Sequence, residues 1–138
     1  YTGKLDDEQF DWLENELANT DSNRPIMVMS HIPILTATGF YEGNEKEGNW
    51  VVPGSWMHID FNRIKKLFLK HPNVKLCISG HMHLVDHVQY NGVTYCCNGA
   101  VSGNWWGNEM YHETHAGFAL IDLYDDGGFD VEYKTYNW

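Results

Sequence analysis

Two short, mainly apolar runs restrict the folds open to this chain more than any other feature of its sequence. Residues 26–29 and 74–78 each have the length and composition of a strand buried on both faces of a sheet. Between them, apolar side chains at helical spacing predict a helix that starts near Asp60 and ends at His71-Pro72. A strand, a helix and a strand in this order predict a right-handed parallel crossover.

A second helix is predicted ahead of the first strand, and hairpins are predicted after the second. Asp6 and Gln9 have the spacing of a capping box, so a helix should cover residues 7–19. Residues 85–90 and 93–97 flank Asn91-Gly92, a strong hairpin signal, and residues 117–124 and 129–136 flank another turn. We therefore predict an α/β fold, with a parallel βαβ unit followed by antiparallel hairpins, in a single domain over residues 1–138.

Composition excludes several classes of function. The chain has 138 residues, and 19 Asp and Glu against 9 Lys and Arg give it a net charge of −10. A nucleic-acid backbone is therefore not expected as the main partner, because polyanions are bound by clustered Lys and Arg. No apolar stretch approaches the roughly 20 residues that a transmembrane helix needs. Any binding of phosphate must take its positive charge from something other than side chains.

Three histidines follow the two predicted parallel strands directly. His31 comes after the first strand, and His81 and His83 come after the second, in Gly80-His81-Met82-His83. Ligands of open α/β sheets bind outside the carboxyl ends of the strands, so these imidazoles should meet at one edge. In an extended segment, residues two apart project to the same side. We therefore predict that the rings of His31, His81 and His83 face a common centre at this edge.

Several segments of the chain resemble the calcineurin-like metallophosphoesterases. Ser30-His31-Ile32-Pro33 and Gly80-His81-Met82-His83, each after an apolar strand, look like the last two motifs of that family. Residues 3–13 resemble the segment before the first of these motifs in bacterial members, and residues 97–106 resemble the loop after the second. The resemblance implies the C-terminal half of a four-layer α/β/β/α sandwich. It also implies a phosphoric ester hydrolase with two metal ions (Mn, Fe or Zn), where His31 and His81 bind one ion and His83 the other.

The family's first three motifs, D-x-H, G-D-x-x-D and G-N-H-[DE], do not occur in these residues. The resemblance therefore implies that the bridging aspartate and the general-acid histidine belong to an N-terminal half that would precede Tyr1. Charge leads to the same expectation, because neutral imidazoles alone would leave about four positive charges of two ions uncompensated. We expect the chain to be nearly inactive alone, and either to fold with that half or to dimerise through the exposed sheet.

The other candidate residues lie in or near the loops. Asp86 is the nearest acidic residue and is expected to pair with or orient a histidine. The aromatic segments 31–59 and 99–116 are expected to be binding loops that shape the pocket for a phosphoester's leaving group. Candidate substrate-binding or supporting residues in the second loop are Asn104, Trp105, Trp106 and His115.

Two other functions remain open at this point. A mononuclear zinc hydrolase would use the same three histidines, with water as the fourth ligand. A non-catalytic module would keep the fold and use its aromatic loops to bind a carbohydrate or a protein. The substrate and the compartment are not determined by the sequence, although the resemblance to exported bacterial enzymes suggests a periplasmic or extracellular location.

Overall fold

A computed structural model describes residues 1–41, 46–107 and 110–136 of the chain. Its elements are α1 (Asp7–Asn19), β1 (Ile26–Met29), a 3-10 helix (Thr38–Phe40), α2 (Phe61–Phe68), β2 (Val74–Ser79), β3 (Asp86–Tyr90), β4 (Val93–Cys97), β5 (Gly117–Leu123) and β6 (Phe129–Thr135). Both predicted helices, the parallel strand pair and both hairpins are confirmed. None of the helices in these ranges is long and apolar enough to cross a bilayer.

Local signals explain where the helices and the first hairpin turn lie. The Asp6 carboxylate accepts a hydrogen bond from the Gln9 backbone N–H at 2.7 Å, and the Gln9 side chain accepts one from Asp6 N–H at 3.1 Å. This reciprocal capping box fixes the start of α1. Between β3 and β4, Asn91 and Gly92 have φ of 51° and 79°, the left-handed conformations that a two-residue hairpin turn requires.

Four strands form one mixed sheet in the order β1-β2-β4-β3. β1 is parallel to β2, β2 is parallel to β4, and β3 is antiparallel to β4. The hairpin β3–β4 thus extends the parallel sheet, and three strands present their carboxyl ends at one edge. β5 and β6 form a separate antiparallel pair. The chain is a mixed α/β structure, and the predicted four-layer sandwich stays a prediction.

The main core lies between the two helices and one face of the sheet. Its fully buried residues include Leu17 of α1, Ile64 of α2, Val74 of β2 and Tyr95 of β4. β1 was predicted to be buried on both faces, but its residues are only half-buried and Met29 is 71 % exposed. The difference follows from position, because β1 is the edge strand of the described sheet, and Ile26 and Val28 pack against the core only as partly buried residues.

Candidate metal centre

His31 and His81 meet at the carboxyl ends of β1 and β2. The backbone N–H of Gly80 donates a hydrogen bond to the His31 carbonyl at 3.2 Å, which holds the two strand ends together. His81 Nδ1 lies 3.1 Å from His31 Nε2, and the ring centroids are 4.9 Å apart at an interplanar angle of 73°. The parallel register therefore brings together two imidazole nitrogens that are separated by 50 residues in the sequence.

The surroundings of His81 favour its neutral form. Burial lowers the pKa of His81, the neighbouring His31 lowers it further, and His83 adds a smaller effect in the same direction. A hydrogen bond with the Ser55 backbone acts in the opposite direction. A lowered pKa keeps the imidazole uncharged near pH 7, and the uncharged imidazole is the form that ligates metals.

His83 has a different environment from the His31–His81 pair. Its Nδ1 lies 2.7 Å from the carbonyl oxygen of Gly103, so the ring nitrogen donates to the backbone there. Its ring stacks on the Trp105 indole, with centroids 4.4 Å apart and planes 20° from parallel. A histidine held through Nδ1–H in this way has Nε2 available as an acceptor, the arrangement that commonly orients metal ligands.

Several residues around the histidines adopt left-handed backbone conformations. The φ angles of His81 and His83 are 69° and 57°, and those of Trp105, Trp106 and His112 are 47°, 69° and 49°. Left-handed φ is uncommon for side chains of this size, and such strain is concentrated at functional sites. Five of the six non-glycine residues with positive φ in the described part of the chain lie in this region.

Asp86 stabilises a loop instead of the predicted histidine partner. Its Oδ2 accepts hydrogen bonds from Thr36 Oγ1 at 2.7 Å, Ala37 N–H at 2.6 Å and Thr38 N–H at 3.0 Å. Its Oδ1 accepts from Cys97 N–H at 3.2 Å. The carboxylate therefore attaches the start of the 31–59 loop to the end of β4, and its lone pairs are used there rather than on an imidazole.

The two aromatic loops pack against each other beside His83. Tyr111 meets Trp105 edge-on at 5.0 Å, His112 lies 4.6 Å from the rings of both Tyr111 and Tyr41, and Tyr41 lies 5.3 Å from Trp56. The indoles of Trp105 and Trp106 remain 61 % and 66 % exposed. Of the predicted loop residues, Trp105 thus adjoins a candidate ligand and Trp106 is at the surface.

The remaining two loop candidates have backbone roles in the structure. The Asn104 carbonyl accepts a hydrogen bond from Gly107 N–H at 2.8 Å. The carbonyl of the exposed His115 accepts one from the Tyr133 hydroxyl of β6, also at 2.8 Å. A Cβ on Gly99 would lie 2.1 Å from that hydroxyl oxygen, so glycine at this position permits the contact that holds the loop to β6.

Comparison with known protein families assigns the chain. The family described as calcineurin-like phosphoesterase matches residues 1–85, more than half of the 138 residues. The chain belongs to the calcineurin-like phosphoesterase family. A search of curated proteins returned no match. The match includes His31, His81 and His83, whereas the assignment of the remaining residues to the same domain stays a prediction.

One polar residue at the edge of this calcineurin-like phosphoesterase sheet was missed by the sequence analysis. Asn98 directly follows β4, and its Nδ2 donates to the Ser79 carbonyl at 3.3 Å. Its Oδ1 is buried, and among the described residues it is the one buried side-chain oxygen or nitrogen without a hydrogen-bond partner. The signal that could have identified Asn98 is its position at the end of a strand, beside the ends that carry two candidate ligands. Reading that signal requires the knowledge that β4 pairs with β2.

The residues of this edge fit part of a metal centre. Two nitrogens bound to one ion at Zn–N distances of 2.0–2.1 Å are about 2.8–3.4 Å apart for octahedral to tetrahedral angles, and the His31–His81 separation of 3.1 Å lies in that range. Within residues 1–41, 46–107 and 110–136, however, no three His, Cys, Asp or Glu side chains are grouped to hold one ion. The pair therefore needs further ligands of another kind or from another segment.

Proposed function

We propose that this family member hydrolyses phosphoesters at a dinuclear metal centre, to which His31 and His81 contribute ligands for one ion and His83 a ligand for the other. The observation that carries the proposal is the 3.1 Å separation of the His31 and His81 nitrogens at adjacent strand ends. The separate hydrogen bond of His83 to Gly103 supports its assignment to the second ion.

When held by His31, His81 and His83, the ions would supply a positive field for the phosphoryl group and would make water more acidic. The protein's own residues orient the ligands: the β1–β2 register sets the His31–His81 pair, and the Gly103 carbonyl fixes the tautomer of His83. This division of roles accounts for anion binding by a chain with a net charge of −10. The same 3.1 Å separation also allows an N–H···N hydrogen bond between the neutral rings of His31 and His81. A proton and a metal ion therefore compete for the same two nitrogens.

We also propose that the carboxylate ligands come from outside residues 1–138. Three neutral imidazoles leave the charge of two ions uncompensated, and the Asp86 carboxylate is already occupied by four hydrogen bonds. An N-terminal half carrying the family's first three motifs is the proposed source. The exposed β1 edge, where Met29 is 71 % exposed, is the proposed surface for that half or for a second copy of the chain.

The aromatic loops are the proposed pocket for the leaving group. Trp105 is stacked on His83, so it adjoins the proposed centre, and most of its surface is in solvent and available to a ligand. A planar or sugar-like leaving group would stack there, because aromatic faces bind both rings and apolar sugar surfaces. The same exposure favours a second candidate function, a binding module that uses the loops without metal.

Isothermal titration of the metal-free chain with Zn²⁺ and Mn²⁺ tests the proposal. We expect binding by the wild type, and an affinity lower by about tenfold or more in His81→Ala, as for loss of a group that supports a metal site. His87→Ala, an exposed histidine of β3, is the matched control and should bind as the wild type does. Equal binding by His81→Ala and wild type would contradict the proposed centre.

Two further readouts separate the alternatives. Residues 1–138 alone should turn over an aryl phosphodiester at background rate, and robust metal-dependent turnover would contradict the proposed external carboxylates.

For the binding module, carbohydrate or protein binding should be lost in Trp105→Ala and retained in His81→Ala. Loss in both variants, or in neither, would contradict the module.

A further inference from the structure

Asn98 is placed beside the histidine pair by backbone hydrogen bonds between strand ends. Asn98 N–H donates to the Ser79 carbonyl at 2.8 Å, as Gly80 N–H does to the His31 carbonyl at 3.2 Å. Asn98 and His31 both line an open cleft of about 380 Å³ at this edge of the sheet. The end of β4 is thus part of the same surface as the ends of β1 and β2.

The orientation of the Asn98 amide is determined by its neighbour. Only the NH₂ group can donate to the Ser79 carbonyl, so Oδ1 must point away from that carbonyl. Buried polar atoms are satisfied in the great majority of proteins, and an exception calls for a ligand or another explanation. A carboxamide oxygen is an acceptor only, so the missing partner is a donor group or a cation.

We propose that Asn98 Oδ1 is a third ligand of the cation bound by His31 and His81. This inference rests on the proposed function and adds an oxygen donor to the two nitrogens. A neutral N₂O set suits the borderline cation Zn²⁺, which accepts both imidazole and oxygen ligands, and the added oxygen also suits the harder cation Mn²⁺. It also brings the candidate ligands at this edge to three, since no three His, Cys, Asp or Glu side chains of the described residues are grouped to hold one ion.

Substitutions at Asn98 and Ser79 separate ligation from electrostatics. Asn98→Ala removes the oxygen without changing the charge, and it should weaken Zn²⁺ and Mn²⁺ binding by about tenfold or more in calorimetric titration. Asn98→Asp keeps an oxygen and adds a negative charge, so it should tighten binding. Ser79 lines the same cleft, and its hydroxyl is already bonded to the Cys96 carbonyl. Ser79→Ala should therefore have wild-type affinity, and Ser79→Asp should tighten binding less than Asn98→Asp.

The outcomes distinguish this inference from the proposed function. Wild-type affinity in Asn98→Ala, with loss of binding in His81→Ala, would overturn the role of Asn98 and leave the proposed function intact. Absence of binding by the wild type would overturn both. Thermal unfolding of each variant controls for folding. If Asn98→Ala is unfolded, the affinities of Asn98→Asp and Ser79→Asp for Zn²⁺ are compared instead. Equal tightening in these two variants would overturn direct ligation by Asn98.

Discussion

The two faces of the four-stranded sheet differ in how completely they are covered. On one face, α1 and α2 bury residues such as Ile64 and Val74 to 1 % exposure or less. On the other face, a cleft of about 400 Å³ separates Met27 of β1 from Leu123 and Phe129 of the β5–β6 pair. The helix-covered face is a continuous core, whereas the opposite face is covered unevenly: Leu76, which lines that cleft, is 1 % exposed, and Met29 at the end of β1 is 71 % exposed.

This difference matters because parallel strands are stable in proteins mainly when both faces are covered. Met29, at the end of the half-covered β1, directly precedes the segment that carries His31. The exposed end of β1 and the proposed, incomplete ligand set are therefore at the same edge of the sheet, whereas the cleft beside β5 and β6 lies at the amino-terminal ends of β1 and β2. One additional layer or partner at β1 would complete both, which is why we propose a single source for the cover and for the carboxylates.

Truncation of one apolar side chain on each face should give the largest contrast. Ile64→Ala removes a side chain with 0 % exposure and should lower the free energy of unfolding by about 2–5 kcal/mol, since it leaves a cavity in a packed core. Met29→Ala should change it by about 0.5 kcal/mol or less, because Met29 is 71 % exposed. Urea unfolding measures both. Similar losses in the two variants would show that the faces are equally packed.

A smaller effect is expected for Asp86, which joins the loop to the sheet. Asp86→Ala removes the carboxylate that accepts from Thr36 Oγ1, from the N–H groups of Ala37 and Thr38, and from Cys97 N–H. The Thr36 hydroxyl and Thr38 N–H each keep a second contact, with Thr38 Oγ1 and Thr36 Oγ1 respectively. Hydrogen bonds to charged groups contribute about 1.5–3 kcal/mol each in net stability, with little additivity, so a loss of about 2–3 kcal/mol is expected. Urea unfolding again provides the measurement, with Asp122→Ala on an exposed position of β5 as the control.

If Asp86→Ala had the wild-type free energy of unfolding, the four hydrogen bonds of this carboxylate would make no net contribution to stability. Metal titration of the same variant gives a second readout. Because Asp86 bonds to the loop and to β4 rather than to a histidine, its removal should affect the affinity for Zn²⁺ less than His81→Ala does. An equal loss would restore the role that the sequence predicted for this carboxylate.

The elements that could be predicted from the sequence are those whose positions depend on residues close together in the chain. The capping box at Asp6, the Asn91-Gly92 turn and the apolar strands each follow from residues that are neighbours in the chain. The proximity of His31 and His81 was also predictable, because parallel strands end at the same edge. These predictions needed no knowledge of how distant segments pack.

Features that depend on distant pairing could not be predicted from the sequence. The parallel pairing of β4 with β2 places Asn98 at the candidate site, and no local pattern in the hairpin indicates it. The hydrogen bonds of Asp86 depend on the path of the 31–59 loop, which has no periodicity from which its course could be read. The half-exposure of β1 depends on strand order, since an apolar run reads the same at an edge as at the centre of a sheet.

The cysteines allow the burial of individual side chains on the two faces of the sheet to be compared. Burial raises the pKa of Cys77, in the helix-covered core, to about 12, and the pKa of Cys96, whose neighbour Tyr95 belongs to that core, to about 11. Because the thiolate is the reactive form, the raised pKa values leave both thiols almost entirely protonated at pH 8. In single-cysteine variants, labelling by a disulfide reagent at pH 8 should therefore be slow at both positions in the folded protein and much faster after unfolding in urea. Native labelling of either variant as fast as that of its urea-unfolded form would contradict the burial of that thiol.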